Sequence, residues 1–476
     1  MVRNFPSCKS FICHETGFGI DDVEEFGFLK IYKLTSKQRD KMSKENMLEK
    51  IKDGSITVGI IGLGYVGLPL FLEYASLNID VVGFDIDKKK ISSLVRGKSY
   101  IERYSDGAVA TAMAGSAQVT SKFDLIADCD AVIICVPTPL NRHREPDLSF
   151  VTSTLSSVEP FLRSGQMISL ESTTWPGTTE EILVPIITNA GFAVGQDVFV
   201  VFSPEREDPG NKAFTTHSIP KIVGGVTADC LEIGQAFYSL AIEKVVSVSS
   251  PRVAEMTKLL ENIHRAVNIG LVNEMKIVAD QMGIDIFEVV DAAATKPFGF
   301  TAFYPGPGLG GHCIPVDPFY LTWKAREYGV HTRFIELSGE INKSMPSFVM
   351  GKLAMALNEI GKPIKNSRVL MLGVAYKPDV DDIRESPSLE LIDLLKKSGA
   401  LVTYSDPYVS ALPKTRASDF NMAHVEVSHS MLTEQDAVIV ATNHTDFDYD
   451  FILRHATLII DTRGVYRELS NKVIRS

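Results

Sequence analysis

The stretch ITVGIIGLGYVGLPLFLEYASLNIDVVGFD (residues 56–85) reads as an apolar strand, a glycine turn, a helix and a second strand that ends in an acidic residue. Gly62, Gly64 and Gly67 have the spacing G-x-G-x-x-G, and Asp85 follows Gly67 by 18 residues. Such glycines let the backbone approach a pyrophosphate at a helix N-terminus, while the acidic residue accepts the ribose hydroxyls. The pattern predicts a dinucleotide-binding Rossmann domain. The cofactor is expected to be NAD, because Asp85 would repel the 2′-phosphate of NADP.

Three later strand-like runs each end in proline or small polar residues. They are DAVIICVPTPL (130–140), QMISLESTTWPGTT (166–179) and DVFVVFSPERED (197–208). The carboxyl ends of parallel strands meet at one edge of a sheet, where ligands bind. We therefore expect four residues to surround the nicotinamide half of the cofactor, namely Pro137, Thr138, Thr173 and Glu205. Each of them has an alternative role as a helix cap or turn former.

The strand–glycine–helix–strand–acid pattern recurs at residues 367–409, and DAVIVATNH (436–444) resembles DAVIICVPT (130–138). Gly373 stands alone in this second copy, so the dinucleotide fingerprint is incomplete. The pattern predicts a second Rossmann-like domain that holds another nucleotide-like ligand. A plain α/β domain without a ligand is the alternative.

Residues 251–283 have apolar residues at helical spacing, which predicts one helix long enough to bridge two domains. Lys258 and Asn262 are four residues apart, hence on one face, which is either exposed to solvent or directed at a cleft. The predicted fold class is α/β, with two Rossmann-like doubly wound domains joined by a long central helix. The expected segments are an N-terminal extension of unassigned role, an NAD-binding domain, a central helical region and a C-terminal ligand domain (1–50, 51–250, 251–347, 348–476).

The stretch GPGLGGHCIPVD (306–317) places four glycines and two prolines around Cys313. Glycine is used where the backbone needs φ > 0 or approaches something closely, so this stretch is typical of a loop folded against a ligand. An ordinary glycine-rich turn with a small buried cysteine is the other interpretation.

Composition excludes several classes of protein. A net charge of −11 argues against a nucleic-acid surface or a polybasic membrane anchor. The six cysteines show no disulfide-framework or C-x-x-C spacing, which suits a reducing cytosol. There is no apolar run of about 18 residues, and the first 50 residues lack the apolar core of a signal peptide. We expect a cytoplasmic protein with no nucleic-acid partner, no membrane partner and no metal site.

The chain resembles the UDP-sugar 6-dehydrogenases throughout residues 56–476. The motifs that carry the resemblance are GLGYVG (62–67), ESTTWPGTT (171–179), SPERED (203–208), KLLEN (258–262), GPGLGGHCIPVD (306–317), YKPDVDDIRESPS (376–388) and DTRG (461–464). The run GGHCIPVDPFYLTWKAREYG (310–329) most resembles the branch that oxidises UDP-N-acetylglucosamine. The resemblance implies that a C6 alcohol becomes a carboxylate with two NAD, in a homodimer or larger homo-oligomer, for surface polysaccharide synthesis.

The resemblance also implies catalytic roles. Cys313 would be the nucleophile, forming a thiohemiacetal and then a thioester, and Asp317 would assist a water that acts as base. Lys258 would stabilise negative charge on the C6 oxygen with Asn262 as a second donor, and it would favour the Cys313 thiolate. Glu205 would activate the hydrolytic water, and Thr173 would hold a water or the nicotinamide.

Binding roles follow by the same resemblance. The cofactor would contact Gly62, Gly64, Tyr65, Val66, Gly67 and Asp85, and Arg384 would reach cofactor or substrate across domains or subunits. The UDP-sugar would contact Glu205, Lys258, Asn262, Tyr304, Gly308, Gly310, Lys377 and Arg463. The glucose-oxidising branch has a second glutamate where this chain has Pro209, so either Glu207 or Asp208 would replace it.

The sequence is also compatible with other substrates and with other functions. UDP-N-acetylmannosamine, UDP-N-acetylgalactosamine and UDP-glucose are alternative substrates for the same chemistry. A two-electron dehydrogenase of the hydroxyacid type would have a lysine and an asparagine but would not need Cys313. A nucleotide-sugar sensor on this scaffold would have lost Cys313, Lys258 or Asp317, and all three are present.

Overall fold

The computed structural model describes residues 36–101, 103–141, 145–207, 214–311, 313–414, 419–468 and 470–476. Within these ranges the chain forms a large sheet, a central group of helices and a smaller sheet, in that order. The predicted fold class, two Rossmann-like domains joined by a long helix, is confirmed.

The first sheet is mostly parallel and buried on both faces. Its strands are β1 (Thr57–Ile61), β2 (Asp80–Phe84), β3 (Gln118–Thr120), β4 (Ala131–Ile134), β5 (Gln166–Leu170), β6 (Val198–Phe202), β7 (Lys221–Gly225) and β8 (Val245–Val248). Their order is β3-β2-β1-β4-β5-β6-β7-β8, and only the β6–β7 pairing is antiparallel. Strand order reverses between β1 and β4, which opens a ligand crevice at the carboxyl ends of these strands.

Helices cover both faces of this sheet. They are α1 (Ser36–Asp53), α2 (Gly67–Ser76), α3 (Lys88–Val95), α4 (Asp106–Ala114), α5 (Ser149–Val158), α6 (Val184–Asn189) and α7 (Ala228–Tyr238). Shorter helical turns span Phe123–Asp128, Glu159–Phe161 and Thr179–Leu183.

Helix α1 begins in the predicted N-terminal extension and packs on the first domain. Met47 and Ile51 lie in the hydrophobic core that also contains strand β1. The ammonium of Lys50 lies 2.7 Å from Asp130 Oδ1, and Lys44 pairs with Glu232 at 2.6 Å. The expected boundary at residue 50 therefore falls inside a helix. Residues 1–35 lie outside the described ranges.

The central region contains α8 (Pro251–Gln281), α9 (Ile286–Ala294), α10 (Asp317–Glu327) and α11 (Arg333–Glu359). Ser250 caps α8, which at 31 residues is ~46 Å long. Gly270 allows α11 to approach, because a Cβ there would lie 2.9 Å from the Cβ of Ser338. Helix α11 continues through Pro346 into the second core, so the expected boundary at residue 347 also falls inside a helix.

The second sheet is parallel. It contains β9 (Arg368–Leu372), β10 (Leu401–Ser405), β13 (Ala437–Val440), β14 (Ile459–Asp461) and β15 (Val473–Arg475), in the order β10-β9-β13-β14-β15. A separate antiparallel pair is formed by β11 (Ala411–Lys414) and β12 (Asp419–Ala423). The helices of this domain are α12 (Pro387–Lys397), α13 (His429–Glu434) and α14 (Tyr449–His455).

The two domains repeat one backbone arrangement at the end of their first strands. The Gly62 N–H donates to the Phe84 carbonyl at 2.8 Å, and the Gly373 N–H donates to the Ser405 carbonyl at 2.9 Å. In the second domain the acid that follows is Asp406, whose Oδ2 accepts the Val374 N–H at 2.7 Å. Across the described ranges, no helix has both the length and the apolar character needed to cross a bilayer.

We expect α1 to contribute to the stability of the first domain. Ile51→Ala should lower the free energy of unfolding by about 2–4 kcal/mol, because it removes a buried side chain from a packed core. The exposed neighbour Lys52 is the matched control, and Lys52→Ala should change stability by less than about 0.5 kcal/mol. Urea unfolding measures both variants. Equal effects of the two substitutions would show that α1 is not part of the cooperative fold.

Candidate functional site

The glycine loop after β1 fits a dinucleotide. A Cβ at Gly62 (φ +91°) would lie 2.5 Å from the Cys135 carbonyl oxygen, and one at Gly67 would lie 2.0 Å from the Gly62 oxygen. At Gly64, by contrast, no atom of the described residues lies within 4 Å of that position. Val66 precedes α2 without capping its first N–H groups through its side chain. The loop therefore offers close backbone approach and a free helix N-terminus, which a pyrophosphate requires.

Asp85 lies at the end of β2 and is 6% exposed. Its carboxylate accepts the Leu63 N–H at 3.0 Å, the Asp87 N–H at 2.8 Å and the Lys90 ammonium at 2.9 Å. A carboxylate has about four lone-pair directions, so capacity remains for a ribose hydroxyl. Asp85 thus fits the predicted NAD role and also holds the glycine loop in place.

The predicted nicotinamide rim follows the ends of β4, β5 and β6. Pro137 is exposed, Thr173 is half-buried, and Thr138 is buried with its carbonyl accepting the Tyr320 hydroxyl at 2.8 Å. Because Tyr320 is on α10, this bond ties the helix after Cys313 to the first domain.

A buried carboxylate connects the loop after β5 to the long helix. Glu255 of α8 accepts the Thr179 N–H at 2.9 Å and also the Gly177 N–H. Gly177 has φ +110°, a backbone conformation that favours glycine. This explains the PGTT part of the motif, since the turn must present two N–H groups to one side chain. The loop that carries Thr173 is therefore fixed to α8.

The predicted catalytic residues converge from three distant segments. Lys258 and Asn262 of α8 are 5% and 1% exposed, and Asp317 at the start of α10 is 1% exposed. Asn262 donates its amide N–H to the Asp317 carboxylate. The Lys258 ammonium donates to the Glu205 backbone carbonyl and lies 3.7 Å from Glu205 Oε2.

Cys313 lies one turn before α10. Its carbonyl accepts the Asp317 N–H at 2.8 Å, and its side chain is half-buried beside the cluster. The face of α8 that bears Lys258 and Asn262 is therefore directed at the cleft beside Cys313, not at solvent.

Sequence reasoning missed Arg265. Its guanidinium donates to the side-chain oxygen of Asn262, so the asparagine is held on both sides. Positions 258, 262 and 265 share one helical face, because they are related by steps of four and three. That spacing was the available signal for Arg265.

The surroundings of Cys313 keep its thiol protonated at neutral pH. Burial, and after it the Asp317 carboxylate, raise its pKa to about 11, and Lys258 only partly opposes them. Lys258 by itself favours the thiolate, as expected. The net effect of all the surrounding groups is to raise the pKa of the thiol, so the expectation is wrong for the thiol as a whole. The reason is that a half-buried sulfur lacks the solvation that its anion needs.

The pKa values of the acidic groups around Lys258 are also shifted. Burial raises the pKa of Asp317 to about 6, although Lys258 and Asn262 lower it. Burial likewise raises the pKa of Glu205, against the effect of Lys258. Burial would lower the pKa of Lys258 itself, but Glu205, Cys313 and Asp317 together raise it above the ordinary value. The lysine therefore remains charged while Asp317 exchanges protons close to neutral pH.

The glycines around Cys313 pack against the second domain. A Cβ on Gly310 would lie 2.6 Å from the Tyr376 Cβ, and one on Gly311 would lie 3.0 Å from the Tyr376 ring. Gly308 (φ +138°) is close to Pro387, and a Cβ on Gly306 would lie 2.5 Å from the Arg463 guanidinium. Close packing against protein atoms thus accounts for these glycines, and their predicted contacts with the sugar nucleotide stay predictions.

Residues of the second domain reach the same loop. The backbone carbonyl of Arg384 accepts the Gly311 N–H at 3.0 Å. The guanidinium of Arg384 lies 4.8 Å from the centroid of the Tyr65 ring. This contact joins the two domains within one chain. Arg463 donates from Nε to the Ala441 carbonyl at 2.7 Å, and burial lowers its pKa to about 10.

Two predicted substrate residues lie nearer the surface. The Lys377 ammonium is 5.9 Å from the centroid of the neighbouring Tyr376 ring. Tyr304 is 45% exposed, and its hydroxyl donates to Asp291 of α9 at 2.7 Å.

Of the two residues considered as replacements for the second glutamate, Glu207 accepts the Thr216 hydroxyl, and its carboxylate lies 3.5 Å from Arg103. Asp208 and Pro209 lie outside the described residues. In the part of the chain that is described, no group of three or more acidic, histidine or cysteine side chains could hold a metal ion.

Comparison with known proteins places this geometry in context. Three models of the UDP-glucose/GDP-mannose dehydrogenase family match the chain: the NAD binding domain at residues 56–242, the central domain at 252–344 and the UDP binding domain at 370–468. The UDP-N-acetyl-D-glucosamine 6-dehydrogenase of Salmonella typhi is 36% identical over 394 residues, which cover 82% of this chain and 91% of that protein.

Two further comparisons involve Pyrococcus horikoshii. Its UDP-N-acetyl-D-mannosamine dehydrogenase is 33% identical over 422 residues, 86% of this chain and 96% of that protein. The solved structure of a UDP-D-ManNAc dehydrogenase from the same organism has a TM-score of 0.80 at 30% identity, covering 88% of this chain and 98% of that one.

The raised pKa of Cys313 can be tested by alkylation. Asp317→Asn removes a charge that disfavours the thiolate, so the rate of Cys313 alkylation by iodoacetamide at pH 8 should rise about tenfold. Lys258→Met removes a charge that favours the thiolate and should slow the reaction. Peptide mass spectrometry follows Cys313 separately from the buried thiols Cys129, Cys135 and Cys230. Slower alkylation of Asp317→Asn would contradict this account of the electrostatics.

Proposed function

The chain belongs to the UDP-glucose/GDP-mannose dehydrogenase family, and on that premise we propose that it oxidises the C6 hydroxyl of a UDP-N-acetylhexosamine to a carboxylate with two NAD. The observation that carries the proposal is the convergence of a thiol, a buried lysine and two carboxylates beside the glycine loop: Cys313, Lys258, Asp317 and Glu205. A two-electron dehydrogenase has no use for the thiol in this cluster.

The substrate proposed first is UDP-N-acetylglucosamine. It is supported by the relative from Salmonella typhi, whose name states this substrate, and by the resemblance of residues 310–329 to that branch. UDP-N-acetylmannosamine, which the names of the Pyrococcus horikoshii proteins state, comes next, followed by UDP-N-acetylgalactosamine and UDP-glucose. The cysteines within the described ranges, Cys129, Cys135, Cys230 and Cys313, are free thiols, which suits the reducing cytosol, where we place the reaction. Its product would serve surface polysaccharide synthesis.

In the first oxidation the C6 hydroxyl loses its proton to a water held by Asp317, whose pKa of about 6 suits a base near neutral pH. The Lys258 ammonium stabilises the negative charge that develops on the C6 oxygen. NAD, when bound, would supply the hydride acceptor for the two oxidation steps. The residues that would hold it are the glycine loop, Asp85 and the rim residues Thr138 and Thr173.

In the second oxidation Cys313 Sγ bonds to the C6 carbon of the aldehyde, and the thiol proton passes to the former carbonyl oxygen. The resulting thiohemiacetal keeps the aldehyde on the enzyme while the spent cofactor is exchanged. Removal of the remaining C6 hydrogen as hydride and of the hydroxyl proton leaves a thioester. Glu205 takes a proton from a water that attacks this thioester, and the carboxylate product and the free thiol result.

A panel of UDP-sugars tests the proposal. Two NADH should form for each UDP-N-acetylglucosamine consumed, as measured by absorbance and product chromatography. Cys313→Ser should stall with the sugar attached, because an ester is harder to hydrolyse than a thioester, and intact-protein mass spectrometry should detect the adduct. Cys313→Ala should lose turnover by several orders of magnitude while affinity for the UDP-sugar changes little.

Other outcomes would reject the proposal. One NADH per substrate would indicate two-electron chemistry. Near-normal turnover by Cys313→Ala would leave Cys313 with a packing role only. Binding of UDP-sugars by the unmutated protein without any NADH formation would favour a nucleotide-sugar sensor.

We further propose a homodimer that covers the outer face of α8. Large apolar side chains are 41–67% exposed along this face, at Val253, Met256, Leu260, Leu271, Met275, Val278 and Met282. They form two groups, at 253–260 and 271–282, in which the spacing is three or four residues. The groups are eleven residues apart, which is close to three helical turns, so both lie on one face and form an apolar stripe over ~44 Å. A second copy presents the same stripe, so an isologous two-fold interface would cover both.

The dimer can be tested by sedimentation. Leu271→Glu places a charge in the stripe and should convert the protein to monomers at micromolar concentration, because an unpaired charge is costly to bury. Glu274→Gln changes an exposed residue in the same turn and should leave the dimer intact. Analytical ultracentrifugation reports both. An unmutated protein that sediments as a fully active monomer would rule out the dimer.

A further inference from the structure

The first domain contains a buried ion pair close to Glu205. The ammonium of Lys221, at the start of β7, is 2.8 Å from Glu171 Oε2, and the two side chains are 8% and 0% exposed. The Tyr238 hydroxyl donates to Glu171 Oε1 at 2.6 Å and lies 2.7 Å from the Ser169 hydroxyl. The mechanism proposed above assigns no role to this pair.

The location of the pair follows from the sheet topology. Glu171 follows β5, and Glu205 comes shortly after β6. Strand β7 is antiparallel to β6, so its first residue, Lys221, lies at the carboxyl edge of the parallel strands. Three charged side chains from three adjacent strands therefore meet at one edge of the sheet.

Both members of the pair and Glu205 line a small, partly open cavity of about 20 Å³. Its polar lining comes from Glu171, Glu205, Arg206, Glu207, Thr216 and Lys221. One water needs about 10–15 Å³ and two to four polar partners, and the cavity meets both conditions. A water in this cavity would have the Lys221 ammonium as a donor and the Glu205 carboxylate as an acceptor.

We propose that the Lys221–Glu171 pair is a positioning element for Glu205, and that it acts through one water in this cavity to hold the carboxylate ready for thioester hydrolysis. The inference rests on the proposed function of Glu205. The Lys258 ammonium lies 3.7 Å from Glu205 Oε2, and Lys221 lines the same cavity as Glu205, so two ammonium groups act on this carboxylate.

The two members of the pair act on Glu205 in opposite directions. Lys221 favours the ionised carboxylate, whereas Glu171 disfavours it. The other titratable groups that face Glu205 are Lys258, Glu207, Cys135, Cys313 and Asp317. Replacing Lys221 should therefore raise the pH at which Glu205 takes up a proton, and replacing Glu171 should lower it.

Infrared titration of the substrate-free protein tests this directly. The carboxyl band that disappears in Glu205→Gln identifies the protonated form of Glu205. In Lys221→Gln its midpoint should move up by about one pH unit, and in Glu171→Gln it should move down by a similar amount. Lys244→Gln removes an exposed positive charge beside β7 and is the matched control, with no shift expected.

Single replacements leave one buried charge without its partner and can destabilise the fold. The double variant Lys221→Gln/Glu171→Gln removes both charges and keeps two hydrogen-bonding side chains, so its midpoint should return close to that of the unmutated protein. Midpoint shifts of the same sign in both single variants, or none in any variant, would overturn the proposal.

A kinetic measurement separates this inference from the proposed function. Enzyme loaded with the acyl group on Cys313 is mixed with buffers of different pH, and loss of the adduct is followed by quenched mass spectrometry. The acid limb of the hydrolysis rate should move with the infrared midpoint of each variant. If no adduct forms in any protein, the proposed function fails, while the infrared titration still decides the role of Lys221.

Discussion

The ammonium of Lys258 is the charge on which the arrangement of the site depends. Its side chain is 6% exposed, and a lysine so far from water is stable in its charged form only with acidic partners. Those partners come from separate parts of the chain, Glu205 after β6 and Asp317 at the start of α10. The need to compensate one buried charge thus brings the first domain, the long helix and the cysteine loop together.

Cys313 is held from both sides of the molecule. Helix α10, which follows it, is tied to the first domain by the bond from Tyr320 to the Thr138 carbonyl. The glycines that precede it are pressed against Tyr376 and Arg463 of the second domain. Any displacement of one domain relative to the other moves the loop that carries the thiol. The position of Cys313 is therefore linked to both the NAD binding domain and the UDP binding domain.

Local signals in the sequence were sufficient for some features. Gly62 and Asp85 could be predicted because a turn, a helix start and a strand end occur within 30 residues and each has a characteristic residue type. The packing of Gly310 had no such signal, because a glycine that avoids a ligand and one that avoids Tyr376 look the same in sequence. The continuity of α11 across the expected boundary at residue 347 was also not visible, since the helix continues through Pro346.

Other features had no local signal. Lys221 and Glu171 are 50 residues apart and meet only because an antiparallel strand reverses the edge on which its first residue lies. Helix α1 was not recognised because few of its residues contribute to the core, Met47 and Ile51 with the partly buried Leu48, within an otherwise charged segment. Pairings of this kind depend on sheet topology and docking, which periodicity does not encode.

The proton affinities in the cluster constrain the order of events at Cys313. The pKa of the thiol is about 11 and that of Asp317 about 6, so transfer of the thiol proton to Asp317 alone is unfavourable. Attack on an aldehyde avoids this cost, because the carbonyl oxygen becomes strongly basic as the carbon–sulfur bond forms. The proton then moves from sulfur to oxygen, and no net charge is created inside the buried cluster. In the proposed reaction the main electrostatic task of Lys258 would thus be to stabilise that oxygen, and not to ionise the sulfur in advance.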